Sequence, residues 1–416
     1  MHNAKLSLLT VLVALHAAMP QLLHAQQQKD TVARSATTRD VPLREVAITD
    51  SLPGIRFAGI LNVVPIAGGR VLVNDGAARR VVIVAFDGSA PRVVFDSAGG
   101  GPSSYGPLAT PLIRYLGDST LFVDGASLSL VVIDPQGKPT RVMSAPKPSD
   151  LRFLAGGASA VDAQGNLVYA GARRMATTMS TTATNDPQYR RTLADSVPLL
   201  RGNFITRTVD TIAQLHMQSA NQSLNFRLPD GRMQTRLTVH PLPIVDDWAL
   251  LSDGTVLIVR GQDYHADIVE ADGRLRSAAK LPYTWYRLSD AEKQAVLDYS
   301  RTSVAGTQAR LAATATAQVA PPLVDLVDVK ELPDYMPPIR AGAARADLDG
   351  YLWVLTRTSS GPQGVVYDVV DRTGALRFRA RLPAGRTIAG FGKGGDVYVM
   401  QQVGTDGWRL ERARLR

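Results

Sequence analysis

Residues 57–88 read FAGILNVVPIAGGRVLVNDGAARRVVIVAFDG. An apolar strand runs into a glycine turn, a second apolar strand follows, and a third ends on an Asp-Gly turn. The second and third strands are nearly unbroken runs of Val, Leu and Ile. Such runs suit strands covered on both faces, whereas a sheet with one wet face alternates.

The same unit recurs five times. Residues 112–125 (LIRYLGDSTLFVDG) lead to 128–137 (LSLVVIDPQG), and residues 153–171 (FLAGGASAVDAQGNLVYAG) lead to a strand displaced to 204–215 (FITRTVDTIAQL). Residues 246–261 (DDWALLSDGTVLIVRG) precede 265–273 (HADIVEADG), and 345–357 (RADLDGYLWVLTR) precede 365–374 (VVYDVVDRTG). The sixth copy is 388–402 (IAGFGKGGDVYVMQQ) with 407–415 (GWRLERARL). Aligned on the central turn glycine, the copies sit at Gly69, Gly117, Gly165, Gly254, Gly350 and Gly395. The first two intervals are 48 residues and the last is 45, the length of one four-stranded propeller blade.

These repeats predict an all-β chain, a six-bladed β-propeller of four-stranded antiparallel blades over residues 41–416. The two long intervals each hold an insertion, Arg173 to Asn203 and Tyr286 to about Lys330, and either has room for a seventh unit. Ser289 and Glu292 have capping-box spacing before an apolar-faced segment, so a helical insertion is expected around 286–315. It is either a lid on the channel or a flap on the rim. The last unit stops after three strands, while residues 42–49 (PLREVAIT) form an orphan strand. Pairing the two closes the ring and removes its open edges. Asp-x-x-Gly stretches at Asp134–Gly137, Asp162–Gly165 and Asp371–Gly374 read as type I hairpin turns. Asp347-Leu-Asp349-Gly350 lacks the further acidic ligands of a calcium loop and reads the same way.

The N-terminus places Lys5 before an apolar run from Leu6 to Met19, with a small-residue site ending at Ala25. This is the pattern of an export signal, residues 1–25, too short to span a bilayer. Residues 26–40 are a polar, aperiodic leader. The expected product is periplasmic or secreted, without a transmembrane segment once the signal is cleaved. The absence of cysteine excludes a lipid anchor on cysteine, cysteine zinc sites and a thiol nucleophile. A chain this long buries a core without disulfides. The net charge of +9 comes mostly from scattered arginines with no basic run, which argues against nucleic acid as a partner.

Gly99 to Tyr105 (GGGPSSY), residues 262–297 (QDYHADIVEADGRLRSAAKLPYTWYRLSDAEKQAVL) and the pair LDGYLWVLTR and YDVVDRTGALRFRARLP resemble segments of bacterial six-bladed propellers related to the NHL-repeat group. The likeness covers most of the chain from about residue 45. It implies the architecture and says almost nothing about chemistry. Lactonase-type propellers place Glu, Asn and Asp around a metal, but the Glu-Gly-Pro motif expected for that Glu is missing, the nearest string being Gly100-Gly101-Pro102. The three histidines after residue 25, His216, His240 and His265, lie at unrelated positions in their units, unlike the metal-binding set of amidating-lyase propellers. Neither a G-x-S-x-G elbow, a phosphate-binding loop nor H-E-x-x-H occurs. No catalytic residue, metal or cofactor is therefore assigned.

One pattern remains. Arg56, Arg152, Arg340, Arg386 and, less cleanly, Arg114 each stand at or near an inner strand, before a small-residue turn. Arg56 and Arg152 both lie 13 residues ahead of their central glycine. Equivalent arginines converging at one channel mouth would suit bidentate binding of an anion; about one residue in eleven is arginine, so chance recurrence is the competing explanation. The sequence points to an exported, monomeric binding protein whose partner is a protein, a glycan or a small anionic ligand. The alternative is a propeller hydrolase or lyase, lactonase-like, with its site at the channel mouth. A structural element of an envelope assembly is a third class.

Overall fold

A computed structural model describes residues 41–416 apart from 53, 99–103, 108, 126, 155–157, 182–186, 219–220, 313–318, 362 and 406. The export signal, the leader and Gly99 to Ser103 of the family-like motif lie outside the described residues.

Strand β1 (Leu43–Ser51) comes first in the chain. Blade 1 is β2 (Ile60–Ile66), β3 (Arg70–Asp75), β4 (Arg80–Ala85) and β5 (Arg92–Phe95). Blade 2 is β6 (Ile113–Arg114), β7 (Thr120–Asp124), β8 (Ser129–Ile133) and β9 (Pro139–Met143). Blade 3 uses β10 (Ser159–Val161) and β11 (Leu167–Ala170), then an excursion through β12 (Met175–Thr181) and β13 (Pro187–Leu193) before β14 (Ser196–Gly202) and β15 (Val209–His216) complete it. The displaced third strand expected at 204–215 is thus corrected. The third strand is β14, and most of the expected segment is the fourth, because the excursion interrupts the blade one strand earlier.

After β16 (Asn221–Arg227) and β17 (Met233–Val239), blade 4 follows as β18 (Asp247–Leu250), β19 (Val256–Val259), β20 (His265–Val269) and β21 (Leu275–Lys280). Helix α1 (Asp290–Ala312) and β22 (Leu323–Leu326) come next, then blade 5 as β23 (Ala344–Ala346), β24 (Leu352–Gly361), β25 (Gly364–Val370) and β26 (Leu376–Arg381). Blade 6 is β27 (Arg386–Phe391), β28 (Asp396–Gln402), β29 (Trp408–Leu415) and, as its outer strand, β1. β1 lies antiparallel to β29 (Val46↔Leu415, Ala47↔Arg414) and its first residues run parallel to β26 (Leu43↔Arg379). One strand therefore joins blades 5 and 6 into a single eight-stranded sheet.

Each seam between neighbouring blades holds its own apolar cluster. Val64, Ile83, Phe122 and Val131 join blades 1 and 2, and Leu121, Val132, Leu167 and Tyr169 join 2 and 3. Val168, Leu199, Trp248 and Ile258 fill the next seam, Leu257, Ile268, Leu352 and Val354 the fourth, and Trp353, Val369, Ile388 and Val399 the fifth. Val63, Val71, Ala389 and Tyr398 close the ring between blades 6 and 1. At that last seam the backbones meet so closely that a Cβ on Gly390 would stand 2.2 Å from the Val63 carbonyl oxygen.

All six central glycines have positive φ, from 62 to 90°, the region that only glycine adopts without strain. The Asp turns form as read: Gln136 and Lys138 donate backbone N–H to Asp134 Oδ1 at 3.0 and 2.8 Å. Asp347 is filled the same way, by the N–H groups of Asp349 and Tyr351 and by Trp353 Nε1 at 2.8 Å.

The two insertions do not make a seventh blade. β12, β13, β16, β17 and β22 build one five-stranded sheet in that order, with β22 parallel to β17 (Arg236↔Leu323). A sheet drawn from three separate segments has no sequential blade topology. Its segments leave from second-to-third strand and blade-to-blade connections. They therefore all rise from the ring face on which inner strands begin. Sheet and α1 form a cap rooted on blades 3 to 5, closed by Leu237, Val239, Val304 and Val324. Among the described residues no helix is long and apolar enough to cross a membrane.

Candidate functional site beneath the cap

The connection from α1 to blade 5 crosses the connection face through Met336-Pro337-Pro338-Ile339-Arg340. Two prolines hold this stretch extended, Ile339 is fully buried in the blade 4–5 seam, and a turn returns the Ala343 N–H to the Arg340 carbonyl at 3.1 Å. That turn delivers Arg340 to the start of the blade 5 inner strand.

On its other edge, past the short β23, β24 pairs with this connection, while its far end still pairs with β25 (Ser360↔Val365). Leu355 N–H donates to Ala343 O at 3.0 Å, Arg357 N–H to Pro338 O at 2.8 Å and Arg357 Nε to Ile339 O at 3.2 Å. Nη2 of Arg357 is shut off from solvent and has no hydrogen-bond partner among the described residues. No carboxylate pairs with Arg357 among them either. Burial, and then the like charge of Arg340, pull the Arg357 guanidinium down to about 10. Arg340 is lowered by burial and by Arg345, whose Nη1 donates to Ile388 O at 2.9 Å.

Around these arginines stand groups from three other elements. Tyr367 of β25 is buried, which raises its phenol against the opposing pull of Arg345 and Arg340. Asp247 opens β18. Its Oδ2 accepts the Ala344 N–H at 2.8 Å and its Oδ1 the Trp248 N–H at 3.0 Å. Burial pushes its carboxyl up to about 6. From the cap side, His240 is buried, accepts the Leu242 N–H on Nδ1 at 3.2 Å and faces Glu331 O with Nε2 at 3.2 Å. This pairing selects the neutral Nε2–H tautomer, and burial lowers its pKa accordingly. A line of rings leads outward: Tyr264 to Tyr283 with centroids 5.4 Å apart, Tyr283 to Trp285 at 5.1 Å, and Trp285 to Tyr335 at 6.4 Å.

Of the five arginines singled out in sequence, only Arg340 enters this cluster. Arg386 starts its inner strand but is held by buried Glu411 of its own blade at 3.0 Å. Arg56 is exposed and folds Nη1 back onto Ile55 O at 3.1 Å. Arg152 lies in the short helical turn Leu151–Leu154, and its side chain is outside the described residues. Arg114 ends its inner strand, hence belongs to the opposite mouth, and pairs with Asp118 at 3.1 Å. Asp247 carries no local signal because its partner Ala344 lies 97 positions on, and Arg345 and Arg357 are set only by pairing with Ile388 and with the Pro338–Ile339 connection.

A pocket of about 270 Å³ opens on the opposite face, between blades 5 and 6, among Asp347, Asp349, Tyr351, Phe378 and Asp396. Its carboxylates are already engaged. Asp349 accepts the Gly394 and Gly395 N–H groups at 3.0 and 2.7 Å, and Asp396 pairs with Arg412 and Arg414. They tie hairpins together. Among the described residues no group of three His, Asp or Glu is placed to hold a metal.

Fold and site together define a six-bladed β-propeller with a capped, arginine-bearing connection face. No family model and no curated protein matches the chain. Several solved structures are similar over most of the chain at low identity. A gluconolactonase from Xanthomonas campestris is 12% identical over 92% of this chain and 99% of its own, with a TM-score of 0.40. A catalytically inactive virginiamycin B lyase from Staphylococcus aureus with quinupristin is 10% identical over 89% and 100%, at 0.37. A DUF4221 protein from Bacteroides vulgatus is 10% identical over 90% and 98%, at 0.43. None of these is named as an NHL-repeat protein, and at this level the likeness transfers neither family nor chemistry.

Proposed function

We propose that the protein binds an anionic ligand, through a carboxylate or phosphate, at the Arg340–Arg357 pair where blade 5 meets the cap, and that it does so outside the cytoplasm. The carrying observation is Arg357. A partly buried guanidinium whose Nη2 is shut off from water, with no partner among the described residues and beside a second arginine, costs free energy in the empty fold. An anion accepting from the pair recovers that cost by bidentate, charge-assisted hydrogen bonds. The export-type N-terminus supports the location. Titrating the full chain with galacturonate and with inorganic phosphate should give saturable binding that Arg357→Gln weakens at least tenfold. No saturation by either, or unchanged affinity in the variant, rejects the reading.

A hydrolase or lyase acting on an anionic substrate is the second reading, favoured by Asp247. A carboxyl raised to about 6 near an arginine cluster has the titration range of a general acid or base. Turnover of a lactone or ester that Asp247→Asn abolishes, with anion binding intact, would establish it; binding without turnover leaves a binder.

A further inference from the structure

Resting on that reading, we infer that the ligand is an acidic oligosaccharide, its carboxylate at Arg357 and Arg340 and its following sugar rings laid along Trp285 and Tyr335. Four observations carry this. Exposure rises along the ring line: Tyr283 is half-buried, whereas Trp285 is 41% and Tyr335 48% exposed, large side chains on the rim. The track has a direction, because Tyr283 packs against the blade 4–5 cluster that holds Ile339, whose carbonyl accepts from Arg357 Nε, and Trp285 is its next neighbour outward. A ligand anchored at the arginine meets these faces in that order.

The last two rings are nearly perpendicular, at 89° with centroids 6.4 Å apart. They form a corner and not a slot. A corner fits a ring with thickness and C–H bonds on its faces, as in a pyranose, better than a flat aromatic acid, which a parallel pair would sandwich. The rim around the corner is polar. Arg287 bridges to Tyr335 in the backbone, and Lys293 Nζ holds Asp334 at 2.7 Å. Charged groups beside exposed rings suit a hydroxylated ligand, while a protein hot spot needs its aromatics in a desolvated pocket.

The test uses the full chain, calorimetry and tryptophan fluorescence, with galacturonate, trigalacturonate, neutral maltotriose and benzoate as probes. The expected result is a trimer bound at least tenfold more tightly than the monosaccharide, with maltotriose and benzoate weaker than either. Trp285→Ala and, separately, Tyr335→Ala should each bring the trimer-to-monomer affinity ratio towards one, with melting temperatures near wild type. Equal affinity for trimer and monomer overturns the oligosaccharide, as does an unchanged ratio in both variants. Tighter binding of benzoate assigns the rings to an aromatic acid and overturns it too. In each of those outcomes loss of galacturonate binding in Arg357→Gln keeps the anion site standing. Galacturonate binding that survives Arg357→Gln removes both ideas at once.

Discussion

The ring and the cap are held together by different means. Every seam of the ring contains a cluster of closely buried aliphatic and aromatic side chains, and strand β19 is buried along its whole length. The cap has two small clusters, Leu237, Val239, Val304 and Val324 in its sheet and Leu242, Leu288, Val296, Leu297, Leu332 and Met336 where α1 meets its flanking connections, and its sheet displays pairs such as Arg236 and Asp325, each about half exposed. Apolar area removed from water dominates stability at about 25 cal/mol per Å², while exposed ion pairs contribute roughly 0–1 kcal/mol. The ring should therefore unfold as a unit, and the cap should open first. A low-stability element over a ligand site is where opening is useful.

The largest effect should follow from deleting residues 41–50. This removes the outer strand of blade 6 and exposes the edges of β29 and β26 together. We expect loss of the cooperative melting transition and aggregation on size-exclusion chromatography. A monomer with unchanged melting would show that closure rests on the blade 6–1 apolar seam instead.

Next comes Asp246→Ala. This buried carboxylate accepts the His216 and Gly261 N–H groups and pairs with Arg260. Removing one partner of a buried pair costs about 3–5 kcal/mol, measurable by denaturant unfolding as a lower midpoint with the same slope. A change below about 1 kcal/mol would mean that water takes over the role.

The two regions should also respond to pH in opposite senses. Asp247 has its carboxyl raised from 3.8 to about 6 by burial, so between those values the folded chain keeps a proton that the unfolded chain releases. Its contribution is full below pH 4 and is lost as pH rises through 6, on the order of 3 kcal/mol by linkage. Asp247→Asn should flatten that fall in a series of melts. His240 is lowered from 6.5 by burial; its contribution is present above 6.5 and is lost as pH falls through the lower folded value. Mild acid should make the cap, followed by limited proteolysis, more labile while the ring is not. An acid-resistant cap would contradict this.

The smallest effect belongs to Val304→Ala in the cap core, about 1–2 kcal/mol by the size of the side chain removed. It should raise proteolysis within the cap without lowering the melting point of the ring. A matching drop in both would show that the two regions are one cooperative unit.

How much of this was legible in the sequence follows the same division. A blade is one contiguous stretch whose turns need glycine at positive φ, so the six central glycines and the Asp turns marked the repeat directly. The start of α1 was legible for a local reason: Ser289 and Glu292 cap each other, Ser289 N–H to Glu292 Oε2 at 2.8 Å and Glu292 N–H to Ser289 Oγ at 3.3 Å. The third strand of blade 3 was misplaced because the local pattern continues on either side of an excursion that only pairing reveals.

The site was barely legible. Arg340 was noted for its position before an inner strand, a rule that applied equally to Arg56 and Arg386, which the fold uses otherwise. What distinguishes Arg340 is its company. Arg357 reaches it because β24 overruns its blade and pairs with the Pro338 to Ala343 connection, while His240 and Trp285 arrive on connections from blades 3 and 4. The sequence by itself determined the all-β repeat and its turn chemistry, since those depend on residues within one blade length, and left open whether a seventh unit lay in the long intervals. Only the tertiary structure decided that two insertions and an intervening hairpin make one cap and not a seventh blade, and that Nη2 of Arg357 is buried beneath it without a partner among the described residues. Burial and charge neighbourhood belong to contacts between distant segments, and no local pattern encodes them.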